Sequence, residues 1–111
     1  MRVVEQLDEA FEALHRAQRL AESSEDAEQL SAIHFLMGNL YYPRGQIDEC
    51  LGEHQQALEY ARQARSSALE LQALGGLCDA NYLRGSMVTA NELGRECVDL
   101  AESQGLAACL T

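Results

Sequence analysis

The chain contains no lysine and no tryptophan, one proline and two phenylalanines, and all eight of its basic residues are arginine. Each shortage removes a class of function. Without lysine there is no G-x-x-x-x-G-K-[ST] loop, so a phosphate-cradling nucleotide site of that kind has no place here. No uninterrupted apolar run reaches the roughly 18 residues that a spanning helix needs. No apolar stretch of signal-peptide length follows Arg2 either. Strand-favouring runs of Val, Ile and Thr are missing. The cysteines (Cys50, Cys78, Cys97 and Cys109) include no Cys-x-x-Cys pair, which removes support for a zinc knuckle or a thioredoxin-type site.

Positive charge is also scarce. Eight arginines stand against 18 Asp and Glu, giving a net charge of −10. Such a surface repels phosphate backbones and anionic lipid, so neither nucleic acid nor a membrane is expected as a partner. Scattered thiols and the missing leader pattern suit a reduced, cytoplasmic protein. What is abundant is Ala, Leu, Glu and Gln, all good helix formers. The apolar fraction of 47% over 111 residues is that of one folded domain rather than a disordered tail.

The strongest signal is an internal repeat. Gly45 laid over Gly85, an offset of 85 − 45 = 40, puts Tyr42 on Tyr82 and Arg44 on Arg84. It also puts Cys50 on Ala90, Ala57 on Cys97, Leu58 on Val98 and Ala61 on Ala101. Backwards, the same offset sets Leu7–Ala10 under Ile47–Cys50, Ala17 under Ala57 and Ala21 under Ala61. Small residues therefore recur where two helices cross closely, since only Ala, Gly, Ser or Cys leaves room for a neighbouring backbone there. The larger sets Leu7/Ile47/Met87 and Leu20/Tyr60/Leu100 are expected to fill the space between successive helix pairs. Gly45 and Gly85 suit bends, because glycine enters the left-handed conformation without a steric penalty.

These patterns predict five helices, near 2–22, 26–43, 46–65, 67–84 and 86–104. The serines and acids of 23–26 suit a helix start. Pro43 is expected in the last turn of the second helix, freeing the carbonyl of Asn39, and Gly105 is expected to cap the fifth. Short loops force neighbouring helices to run antiparallel.

The middle copy reads His34-x-x-Met37-Gly38-x-x-Tyr41, then Cys50-x-x-x-His54, then Ala57. These spacings resemble the tetratricopeptide (TPR) repeat, with His standing twice for an aromatic and Cys for Ala. The next copy, Leu74-x-x-Leu77-Cys78-x-x-Asn81 with Ala90 and Cys97, follows more loosely. The period exceeds the usual 34 residues, and Arg62 stands where that repeat carries its helix-ending proline. Residues 38–64 and 73–87 look like the helical-repeat tail of large bacterial regulators that carry an ATPase or adenylate/guanylate cyclase domain. The resemblance implies an all-α solenoid of antiparallel helix pairs serving as a protein–protein interaction module in a signalling protein. It implies no catalytic residue, metal or cofactor in this segment, since the catalytic motifs of such regulators lie in other domains. It divides the chain into a partial repeat (1–24), two repeats (25–65 and 66–105) and the start of a further helix (106–111), as expected of a segment cut from something longer.

Carried over by position, the partner groove is lined by Ala32, Phe35, Asn39 and Tyr42 in one copy and by Gln72, Gly75, Asp79 and Tyr82 in the next. Phe35, Asn39, Tyr42, Gln72, Asp79 and Tyr82 are the implied peptide-contacting residues, with hydrogen bonds from Asn and Asp and stacking area from the rings. An equal alternative is that the tyrosines only pack between helices. His15, His34 and His54 lack ligand spacing and are read as packing residues. Cys50, Cys78 and Cys97 fall on close-packed positions, and the acidic stretch 22–28 is read as a solvated helix start. A second function fits the same sequence: a spacer or oligomerisation arm with no peptide ligand, self-associating through exposed solenoid ends. A small enzyme is the third, but no nucleophile–base pair is legible.

Overall fold

The structure, a computed structural model, describes residues 3–104. Its helices are α1 (Val3–Ser23), α2 (Ala27–Tyr41), α3 (Ile47–Gln63), α4 (Ser67–Arg84) and α5 (Met87–Ser103), with a 3-10 turn at Tyr42–Arg44. No strand occurs among the described residues. Each helix packs on its neighbours in sequence, and α2 also meets α4. The chain is all-α, as composition and turn spacing require. Gly105, Cys109 and the expected helix at 106–111 lie outside the described residues.

The bends come in two kinds, and each kind recurs. Gly45 and Gly85 take left-handed φ of 72° and 88°, and their N–H groups donate to the carbonyls of Tyr42 and Tyr82. The other two bends use left-handed residues with a Cβ, Glu25 and Arg65, both at φ 54° and themselves 65 − 25 = 40 apart. After each comes an extended residue that caps the next helix. Asp26 accepts from the N–H of Gln29, and Ser66 from that of Leu69. Ser24 instead closes α1, its hydroxyl donating to the carbonyls of Leu20 and Ala21. The left-handed state of Glu25 and Arg65 has no signature in residue type, so it could not be read from the sequence. Pro43 lies not in the last turn of α2, as expected, but in the 3-10 turn that follows Tyr41, whose tighter hydrogen bonding tolerates its missing N–H.

Most of the recurring small residues go inside, while Ala10 and Ala17 on α1 are half-buried. Ala21, Ala61 and Ala101 are buried, as are Cys50, Ala90, Ala57 and Cys97. One core cluster joins Ala21, Leu30, Ile33 and Met37 between α1 and α2, with Tyr60 of α3 against it. A second joins Ala57 and Leu58 of α3, Leu71, Leu74 and Leu77 of α4, and Cys97 and Ala101 of α5. A hydrogen bond of 2.8 Å from the Ser31 hydroxyl to the Ala57 carbonyl ties α2 to α3 inside the core.

Two of the expected space-filling residues depart from that role. Leu20 is 73% exposed and Met87 is 48% exposed. Tyr60 and Leu100, the counterparts of Leu20, pack against core clusters because α2 and α4 lie ahead of them. No described helix precedes α1, so Leu20 has nothing comparable to cover it. Met87 is the first residue of α5 and projects beyond the α4–α5 contact.

Candidate functional site

The meeting of α2 and α4 leaves a concavity of about 490 Å³, bordered by Phe35 and Asn39 of α2 and by Leu71, Gln72, Gly75 and Asp79 of α4, with Cys97 behind. A smaller hollow of about 230 Å³ continues from it, bordered by Asn39, Tyr42, His54, Gly76 and Asp79. Five of the six residues implied as peptide contacts therefore come together: Phe35, Asn39, Tyr42, Gln72 and Asp79. Tyr82 does not join them. It borders neither hollow and is 65% exposed. The reason is geometric: Tyr42 reaches the hollow made with the first helix of the following copy, α4, and no described helix follows α5 to do the same for Tyr82. Of the two further residues implied by position, Gly75 borders the larger hollow and Ala32 borders neither.

The floor of the smaller hollow is a residue that the sequence reading treated only as filler. The His54 ring lies between two glycines: a Cβ built on Gly38 of α2 would come within 2.6 Å of it, and one built on Gly76 of α4 would come equally close. Its third neighbour is Phe35, with ring centroids 5.3 Å apart at 52°. The ring is 2% exposed, and its Nδ1 is buried without a hydrogen-bond partner. Burial pushes its pKa below the ordinary 6.5, against an opposing pull from Asp79 and Glu53. The imidazole is therefore neutral at pH 7. What allows the close approach of α2 and α4 is the pair of glycines, and Gly76 has no counterpart at the repeat offset that would have announced it.

His34, the other buried histidine, is satisfied. Its Nδ1–H donates to Glu53 at 2.7 Å, and its ring stacks on Tyr60 at 5.5 Å, nearly parallel. His15 is exposed and stacks on Phe11. Among the described residues no group of three His, Cys, Asp or Glu side chains is arranged to hold a metal ion. Burial, reinforced by Asp79, raises the thiol pKa of Cys50, Cys78 and Cys97, and all three are free thiols. As protonated thiols they are weak nucleophiles.

The polar groups on the rim contrast with those elsewhere. Asn81, one turn further along α4, donates to the Leu77 carbonyl. Arg84 pairs with Asp48 at 3.4 Å, Arg62 lies between Glu70 and Glu96, and Arg44 sits 5.4 Å above the Phe11 ring. Asn39, Gln72 and Asp79 have no hydrogen bond or ion pair among the described residues. Asp79 is the only carboxylate on either rim, and no arginine borders either hollow.

Compared with protein-family models, curated proteins and solved structures, the chain matches none. The site must be read from its own chemistry. No described helix is long and apolar enough to cross a membrane.

Proposed function

We propose that this chain is a stretch of TPR-like α-solenoid with a 40-residue repeat, working as a protein–protein interaction module within a larger signalling regulator and holding a peptide or partner domain in the hollow between α2 and α4. The observation that carries the reading is that Asn39 and Asp79, equivalent at the repeat offset, border one concavity with their polar ends free. The recurrence of both kinds of bend, Gly45 with Gly85 and Glu25 with Arg65, supports a repeated helix pair. So does the burial of all three members of the Ala21/Ala61/Ala101 set. A groove of this form takes an extended or helical segment, with polar side chains reading its backbone and ring faces supplying area.

The test is selection of peptides from a random twelve-residue displayed library on the purified chain. Enriched peptides should lose binding to the double variant Asn39→Ala/Asp79→Ala while its thermal midpoint stays at the wild-type value. No enrichment, or undiminished binding to the double variant, would remove the groove as the site. The second reading, a spacer or self-associating arm, draws on the exposed cluster of Tyr82, Leu83, Met87 and Val88 around the α4–α5 bend. A sedimentation coefficient independent of concentration would count against it.

A further inference from the structure

Resting on the reading of this hollow as a peptide groove, we propose that its occupant is a basic segment that sets an arginine or lysine side chain against Asp79. Charge complementarity is the first ground. The chain carries a net charge of −10, and the hollow itself offers one carboxylate and no cation. The arginines nearest in sequence are engaged elsewhere, Arg84 by Asp48 and Arg44 by the Phe11 face. An anionic ligand, including a peptide C-terminal carboxylate, meets only repulsion at Asp79.

The second ground is the floor. The buried His54 ring is neutral at pH 7 and leaves the Asp79 charge uncompensated. A ring protonated in place would supply the countercharge itself. The Glu53 carboxylate, the other acid acting on His54, is taken up by His34 on the far side. The third ground is shape. The larger hollow presents Phe35, Leu71 and Gly75 beside Asp79, so the aliphatic stem of a long cation lies along apolar surface while its head reaches the carboxylate. Asn39 and Tyr42 border the same smaller hollow as Asp79, and a side-chain amide oxygen and a phenolic hydroxyl are both able to accept from a multi-donor head group such as guanidinium.

The probes are peptides recovered from the library selection, each synthesised with its basic residue intact and with an arginine replaced by citrulline or a lysine by norleucine, which keeps the stem and removes the charge. The expected result is an arginine or lysine at one fixed position of the enriched peptides. The neutral replacement should weaken binding by about five- to tenfold, and Asp79→Asn should weaken the parent peptide equally. Asp99→Asn, an exposed carboxylate on α5 away from the hollow, should leave binding unchanged. Selection repeated on Asp79→Arg should enrich Asp or Glu at that position instead. Peptides that need Asn39 yet carry no basic residue would overturn the cationic occupant and leave the groove standing. Equal losses in Asp79→Asn and Asp99→Asn would also overturn it, by reducing the effect to overall charge. Absence of any enriched peptide would sink both the groove and the occupant.

Discussion

If His54 is wedged between Gly38 and Gly76, a single methyl group on either glycine should be refused, and removing the ring should make it welcome. In an open helix, alanine is favoured over glycine by about 0.5–1 kcal/mol. Here the new Cβ of Gly76→Ala would lie 2.6 Å from both Cε1 and Nδ1 of His54, and that of Gly38→Ala 2.6 Å from Cε1 and 2.7 Å from Nε2. The ring cannot swing aside cheaply, since it is 2% exposed and backed by Phe35. Overpacking of this kind costs about 1–3 kcal/mol, so each alanine should destabilise the wild-type background by about 1–2 kcal/mol net. In a His54→Ala background the same methyls enter the space the ring leaves, and Gly76→Ala should become stabilising by about 0.5–1 kcal/mol. The double-mutant cycle should therefore give a coupling of about 1.5–3 kcal/mol. Urea unfolding of the four proteins, followed by far-UV circular dichroism, measures it through the midpoints at constant slope. Gly76→Ala stabilising by the same amount in both backgrounds would refute the wedge and the close approach of α2 and α4 that it implies.

Two further outcomes follow from the same coordinates. Arg65, left-handed at φ 54° with no side-chain hydrogen bond or ion pair, should gain about 0.5–1 kcal/mol on replacement by glycine; a melting point raised by a few degrees checks this, and an unchanged or lowered one contradicts it. His54 has a folded pKa lowered from 6.5 by burial, so below about pH 6.5 the unfolded chain takes up a proton that the folded chain refuses, and acidification costs stability. The stability advantage of wild type over His54→Gln should accordingly shrink between about pH 7.5 and about pH 5.5, and a constant difference would mean that the ring titrates alike in both states.

Much of the scaffold was legible because its signals are local. Helix limits came out within about two residues wherever a bend carried Gly45, Gly85, Asp26 or Ser66, since these residue types satisfy or terminate helix ends by their own geometry. Glu25 fell between the expected helices, whereas Arg65 was expected to end the third helix and instead forms the bend after Gln63; the left-handed backbone of both was not foreseen, because nothing in a Glu or an Arg calls for it. The offset of 40 singled out Asn39 and Asp79 as a pair, and in the structure both border the hollow between α2 and α4. Tyr82, singled out by the same offset, borders neither hollow, and no described helix follows α5 to make one with it. His54 was legible as a packing residue, but its place between Gly38 and Gly76 was not. That contact joins three helices, and none of its members recurs at the offset of 40, where Gly38 meets Cys78, His54 meets Gly94 and Gly76 meets Leu36. The hydrogen bond of His34 to Glu53 also joins two helices and leaves no mark in either local pattern.

Two buried thiols and one half-buried one have a practical consequence. Cys50, Cys78 and Cys97 sit on α3, α4 and α5 in turn, and Cys78 donates to the Ala90 carbonyl across the α4–α5 contact. Burial keeps each protonated and slow to react. An alkylating reagent therefore reaches Cys50 and Cys97 at the rate at which their own seams part, while half-buried Cys78 is reached with less opening. The native chain thus carries a thiol in each of α3, α4 and α5, and their relative alkylation rates time how these helices part without any label being introduced.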